Sequence, residues 1–319
     1  MMLEKLQLLL NDSKLEYLET VQSLWSGYGE VARCYSHALA KDIIVKHIAP
    51  PLNVSHPRGW NTLTSHNRKL KSYQVESNFY RQFAHECDAS ARVPSLVNNF
   101  FVENEQFLIL EDLDDSGYFV RRDEATMADM KLGIRWLANF HAKFLNVKAT
   151  GLWDIGCYWH LATREDEYQQ MANGSLKDMA VNIDGRLNDA KYKTLVHGDA
   201  KLANFCFYHD GSDIAGVDFQ YVGAGVGVKD LAYFLGSCLT SAQLYQFNDE
   251  LVAEYFSLLK PAIEQFQASI CSQAVCNEWR LLYPFAWADF NRFLLGWSPE
   301  HIKINEYMAE QTQLALINL

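Results

Sequence analysis

Apolar residues fall into two regimes along the chain. The first third carries short apolar runs, and the remainder carries apolar positions at helical spacing. Asp42-Ile43-Ile44-Val45-Lys46-His47-Ile48 is a strongly apolar strand interrupted by one lysine, and Phe107-Leu108-Ile109-Leu110-Glu111-Asp112-Leu113 is a second strand ending in acidic residues. Between them, Ser65 to Cys87 reads as a helix with Tyr73, Phe79, Tyr80 and Phe83 along its apolar stripe. Further on, Met127 to Val147 has helical periodicity through Met130, Ile134, Leu137, His141 and Leu145, and Ala242 to Gln267 and Val275 to Leu295 read as further helices. Three short strands interrupt this helical region, at Lys193–Val196, Asn204–Tyr208 and Ile214–Asp218, with His209-Asp210-Gly211-Ser212-Asp213 as the turn between the last two. The pattern predicts an α+β chain with a smaller, strand-bearing lobe over 1–112 and a larger, mainly helical lobe over 113–319.

Polar residues that break the pattern are the candidates for chemistry. Glu76 lies on the apolar stripe of its helix, flanked by aromatics three and four residues away. A carboxylate there is costly to bury unless paired, and Lys46, inside its apolar strand, is the natural partner. A strand lysine or a stripe-edge glutamate facing water remains the alternative. Ahead of this strand, Trp25-Ser26-Gly27-Tyr28-Gly29-Glu30-Val31 places Gly27 and Gly29 where a phosphate-covering loop or an ordinary hairpin turn would fall.

The most specific stretch is His197-Gly198-Asp199-Ala200-Lys201-Leu202-Ala203-Asn204. Asn204 and Asp218 lie seven residues either side of Gly211, so folding the hairpin brings them to its open end. Two oxygen ligands suit Mg²⁺, which keeps waters and substrate phosphates as its other ligands. Asp199 falls nearby as a catalytic base. An isolated Gly-Asp is usually only a turn. Metallophosphoesterases also use Gly-Asp loops, but the upstream Asp-x-His they need is not evident here.

This region resembles the aminoglycoside phosphotransferase and choline kinase superfamily, with its HGDxxxxN motif and downstream Asp, and more closely its ecdysteroid-kinase-like branch. The resemblance spans Lys46 to Asp230, and its specificity is concentrated in His197 to Asp218. It implies a bilobal protein-kinase-like fold, with an antiparallel sheet and one helix in the small lobe. It also implies an ATP-dependent phosphotransferase acting on a hydroxyl of a small molecule. By that resemblance Asp199 accepts the hydroxyl proton, Asn204 and Asp218 hold Mg²⁺, and Lys46, paired with Glu76, meets the nucleotide phosphates. Most of the superfamily lacks Lys201, but in many protein kinases a lysine two residues past the base steadies the transferring phosphate, and the same role is expected of Lys201. The connection at Glu111 and Leu113 reads adenine through its backbone, so the Glu111 side chain need not touch nucleotide. Asp230 braces the catalytic loop, approaches substrate, or merely starts a helix.

The remaining features narrow the partner. Phe219-Gln220 follows Asp218 where protein kinases have Phe-Gly, little chain separates it from Asp230, and there is no Ala-Pro-Glu segment. Peptide substrates are therefore disfavoured over a small hydroxylated molecule. Trp279, Tyr283, Trp287, Asp289, Phe290 and Trp297 form an aromatic and acidic cluster that reads as core by its spacing, or as a pocket for an amine. Trp153-Asp154 and Trp159-His160 are a second candidate wall. A net charge of −11 argues against a nucleic-acid partner and is compatible with a cationic substrate. Seven scattered cysteines without a CxxC read as reduced thiols. The leucine-rich, acidic start lacks the basic, continuous apolar character of a signal peptide, and no run is long enough to span a membrane, so the expectation is a cytoplasmic protein. A catalytically silent nucleotide-binding protein of the same fold and a helical interaction module are the rival readings.

Overall fold

The computed structural model describes residues 2–24, 27–50 and 63–319. Trp25, Ser26 and nearly all of the Pro50–Asn61 surface loop expected from the sequence lie outside the described residues. The chain opens with α1 (Met2–Leu10), β1 (Glu16–Ser23), β2 (Gly29–Ser36) and β3 (Lys41–Ile48), followed by α2 (Leu63–Gln82), β4 (Leu96–Val102) and β5 (Glu105–Glu111). The five strands form one antiparallel sheet in the order β1-β2-β3-β5-β4.

The period of two along β3 sorts its side chains between two faces. Ile43 and Val45 pack with Ala32, Cys34, Phe107, Ile109 and Leu6 of α1, forming a small core beneath that helix. Ile44 and Lys46 project to the opposite face, toward the cleft. That alternation, with its apolar half buried under α1, turns Lys46 toward α2.

The larger part holds α3 (Met127–Lys143), α4 (Glu165–Gln170), α5 (Ser175–Asp178), α6 (Ala180–Asn188), β6 (Thr194–Val196), β7 (Phe205–Phe207), β8 (Ile214–Gly216), β9 (Gly223–Gly225) and α7 (Val228–Cys238). It ends with α8 (Ser241–Phe266), α9 (Ser272–Trp297) and α10 (Glu306–Ile317). The two long helices foreseen near residues 242 and 275 are α8 and α9. Thr126 and Asp129 cap α3 reciprocally, as Thr240 and Gln243 cap α8, so each helix starts with satisfied backbone donors. β7 and β8 form the expected hairpin, with Phe205 opposite Gly216. β6 pairs instead with β9, a strand made of Gly-Ala-Gly.

An aromatic seam joins the two parts. Phe219 is fully buried and stacks on Phe79 of α2 with ring centroids 3.9 Å apart, and it also packs on His197 and Phe140. All seven cysteines are free thiols. Among the described residues no helix is long and apolar enough to cross a membrane.

Candidate active site

Lys46 Nζ donates to Glu76 Oε2 at 2.6 Å and to Asp218 Oδ1 at 3.4 Å. β3 and α2 therefore bring together the two charges that interrupted their apolar patterns. Burial penalises the Lys46 ammonium, but the Glu76 and Asp218 carboxylates outweigh it and hold its pKa above the ordinary value. Burial raises the Glu76 carboxyl, opposed by Lys46 and reinforced by the charge of Asp218. The Asp218 side chain is about one-third exposed, so this buried pair opens at one end into the cleft.

The loop after β6 is fixed by hydrogen bonds beneath it. Gly198 has a φ of +79°, and a Cβ there would lie 2.2 Å from the Tyr221 carbonyl oxygen, so only glycine fits. Asp230, buried near the start of α7, accepts the His197 N–H at 2.5 Å and the Gly198 N–H at 3.0 Å and meets His141 Nε2 at 3.2 Å. It grips the loop backbone from below and does not line the cleft. His197 Nε2 donates to the Val217 carbonyl at 2.9 Å, leaving Nδ1 to accept the Asp199 N–H at 3.3 Å. One imidazole thus ties the Asp199 backbone to the residue before Asp218.

Asp199 itself is buried and lines the cleft. Burial raises its pKa, offset in part by Lys201, whose Nζ lies 3.2 Å from Oδ2, while the charge of Asp218 adds to the rise. The Asn204 amide donates from Nδ2 to the Asp199 carbonyl at 2.8 Å and to its carboxylate at 3.1 Å. Those bonds fix the orientation of the amide and leave Oδ1 as the acceptor. The Val217 N–H donates to the Asn204 carbonyl at 3.0 Å, so the hairpin holds the Asn204 and Asp218 backbones close together. Asp218 has a φ of +68°, a left-handed conformation that is strained for a residue bearing a Cβ. Among the described residues no three His, Cys, Asp or Glu side chains converge on one point. An amide oxygen beside one carboxylate fits a cation that takes its other ligands from water and phosphate, as Mg²⁺ does.

At the end of β5 the Glu111 N–H donates to the Ser95 carbonyl at 2.9 Å, and the Leu113 carbonyl accepts from Tyr118 N–H at 2.8 Å. Those two groups are occupied, whereas the Leu113 N–H makes no hydrogen bond among the described residues. The Glu111 side chain turns to Arg92, Ser116 and the Ser95 N–H. Between β1 and β2, Gly27 (φ +71°) and Gly29 (φ +126°) shape a turn closed by Leu24 N–H donating to the Gly29 carbonyl at 2.8 Å. A Cβ on Gly29 would strike the His47 carbonyl oxygen at 2.0 Å. Leu24 and Tyr28 of this turn line the cleft.

Lys46, Glu76, Glu111, Leu113, Asp199, Lys201, Asn204 and Asp218 all line one cleft of about 1200 Å³. Single small-molecule pockets span roughly 300–1,000 Å³, so two substrates fit side by side. Sequence reasoning missed Tyr158, Tyr221, Tyr233, Arg68 and Lys303, which also line it. It weighed Asp289 and Trp287 as amine-holding pocket residues or core, and both are fully buried core. Asp289 accepts from Lys229 at 3.0 Å and from Arg292 at 2.7 Å. Trp153 and Trp159 are likewise buried.

A small lobe built on a five-stranded antiparallel sheet and one main helix, a larger helical lobe, and a cleft holding a Lys–Glu pair with an Asp–Asn loop define a kinase-like protein. The model of the ecdysteroid kinase-like family matches residues 61–151 and 157–268, and the chain belongs to that family. No curated protein sequence matches it. Among solved structures, it is similar to an aminoglycoside-3'-phosphotransferase of type VIII, at 16% identity and a TM-score of 0.43 over 89% of this chain and 98% of the other. An ethanolamine kinase of Plasmodium vivax is 11% identical, with a TM-score of 0.45 over 95% and 82%. An aminoglycoside phosphotransferase of Streptomyces rimosus in complex with ADP and streptomycin is 14% identical, with a TM-score of 0.46 over 90% and 98%.

Proposed function

We propose that the protein is an ATP-dependent phosphotransferase that moves the γ-phosphate to a hydroxyl of a small molecule. The observation that carries this reading is the convergence of Lys46–Glu76 with Asp199, Asn204 and Asp218 in one cleft large enough for nucleotide and acceptor. MgATP supplies the phosphoryl group and the cation that neutralises its charge. Lys46, oriented by Glu76, binds phosphate oxygens, and Asn204 Oδ1 and the Asp218 carboxylate hold the Mg²⁺. Asp199 accepts the acceptor's hydroxyl proton at its carboxylate, which the Asn204 amide and Lys201 hold in position. Lys201, partly exposed beside Asp199, offsets negative charge on the phosphoryl oxygens. The Leu113 N–H and the Glu111 carbonyl read the base by main chain.

Calorimetric titration of nucleotide tests this assignment. Wild type and Asp199→Asn bind MgATP with similar affinity, whereas Asp218→Asn, with an unchanged circular dichroism spectrum, loses the Mg²⁺-dependent part of binding. Mg²⁺-dependent binding that survives in Asp218→Asn contradicts the metal assignment. Absence of MgATP binding in wild type contradicts the whole reading.

A further inference from the structure

On the Asp199 side of the cleft the walls are aromatic and the charge is positive. Tyr158 stands between Tyr221 and Tyr233, with ring centroids 5.9 and 5.5 Å away, and Trp297 also lines this end. The cations here are Arg68, Arg164, Lys201 and Lys303. Two are neutralised within the protein: Lys201 by Asp199 at 3.2 Å and Arg164 by Glu167 at 2.9 Å. The other two form no ion pair among the described residues. Arg68 donates to the Thr163 carbonyl at 2.6 Å, and Lys303 Nζ sits 4.8 Å from the centre of the Tyr233 ring.

Half-buried cations that form no direct ion pair among the described residues are costly. The cost is visible in both groups: burial pulls the pKa of each below its ordinary value, and the attraction of Asp199 at Lys303 and of Glu167 and Asp166 at Arg68 does not restore it. Arg68 is anchored on the Thr163 carbonyl, next to Arg164, which donates to the Tyr158 carbonyl, and Lys303 lies against Tyr233, so both line the cleft beside the tyrosines and Asp199. The one carboxylate that the sequence offered for holding an amine, Asp289, is sealed in the core by Lys229 and Arg292.

We infer that the acceptor subsite selects an alcohol bearing an anionic group, such as a carboxylate or sulfate, on an aromatic or alicyclic body. Lys303 and Arg68 receive the anion, and Tyr158, Tyr221 and Tyr233 pack the body, leaving the hydroxyl at Asp199. An ammonium-bearing alcohol meets two unneutralised cations and is rejected. The inference rests on the phosphotransferase reading of the cleft.

The test uses the full chain loaded with MgADP and three probes of one skeleton: para-(hydroxymethyl)benzoate, benzyl alcohol and para-(hydroxymethyl)benzylamine. Calorimetric titration should show the benzoate binding tighter than the neutral alcohol by on the order of ten- to a hundredfold, the worth of a charge-assisted hydrogen bond. The amine should bind weakest. Lys303→Met, with Arg68→Met as a second variant, should remove most of that preference while leaving MgADP affinity unchanged. Equal or undetectable binding of the three probes, or tightest binding of the amine, overturns the inference. So does a Lys303→Met that weakens MgADP instead of the benzoate. A wild type that binds MgADP without preferring the anion sinks this inference alone, whereas one that fails to bind MgADP sinks the phosphotransferase reading as well.

Discussion

Glu76 was legible from sequence because a carboxylate on an apolar helix stripe has few ways to exist other than paired. Its neighbour on the opposing strand satisfies it at 2.6 Å. Removing one partner leaves the other as an isolated buried charge, at a cost of about 3–5 kcal/mol. Glu76→Gln and Lys46→Met should therefore each destabilise the fold and weaken MgATP binding, and the double variant should cost less than the two effects added. Additive losses in chemical denaturation would mean that the pair is not coupled. Glu111 makes a contrasting case. Burial would raise its carboxyl, but hydrogen bonds from Arg92, Ser116 and the Ser95 N–H overcome this and bring it to about 2. A depressed folded-state pKa adds stability that is complete above the ordinary value of 4.5 and lost as pH falls toward 2. The contribution is about 3 kcal/mol at most, by the worth of a pKa unit. Glu111→Gln should therefore lower the melting temperature at neutral pH, converge with wild type near pH 2, and leave MgATP affinity intact. A loss of MgATP affinity would give the Glu111 side chain a role in nucleotide binding. Arg68 and Lys303 were illegible because each is a single charge with no periodic context, and only the folded cleft shows that neither forms an ion pair among the described residues.

At the scale of elements, β3, α2, β5 and the β7–β8 hairpin were readable because apolar periodicity and turn residues agree in each. The first two strands were not. β1 is exposed along its whole length, so burial leaves no alternation in it. β9, as Gly-Ala-Gly, carries no strand propensity and owes its pairing to β6. The aromatic spacing in α9 allowed pocket or core, and the structure divides it: Trp279 and Trp287 are core, while Phe290 and Trp297 line the cleft. The seam between the lobes runs through Phe219, a lone aromatic between Asp218 and Gln220 with no periodic context in the sequence. Phe219 touches α2, α3 and His197 of the loop after β6 at once. Phe219→Ala should cost about 3–5 kcal/mol, the usual range for a buried phenylalanine. It should also reduce nucleotide affinity, because α2 carries Glu76. Stability lost without any change in affinity would show that the seam holds the fold but not the site.

Over the whole molecule, two charge patterns oppose one another. The chain is acidic overall, at −11, while among the described residues that line the cleft eight Lys and Arg outnumber six Asp and Glu. Such a cleft favours anions in a protein whose surface otherwise repels them. The kinase-like class was legible in the spacing of Asp199, Asn204 and Asp218, because those residues needed only one hairpin to meet. The proposed acceptor end of the cleft was not, because its lining comes from segments far apart in the chain, around residues 68, 158, 221, 233 and 303.

The most direct measurement is ADP release from MgATP across a panel of alcohols, including carboxylated, sulfated, neutral and amino alcohols, with Asp199→Asn run in parallel. The account predicts acceptor-dependent release that falls by roughly 10²–10⁴ in Asp199→Asn, the usual worth of a general base, with MgATP affinity retained. Release that is indifferent to Asp199, or tight MgATP binding with no transfer to any alcohol of the panel, would contradict it.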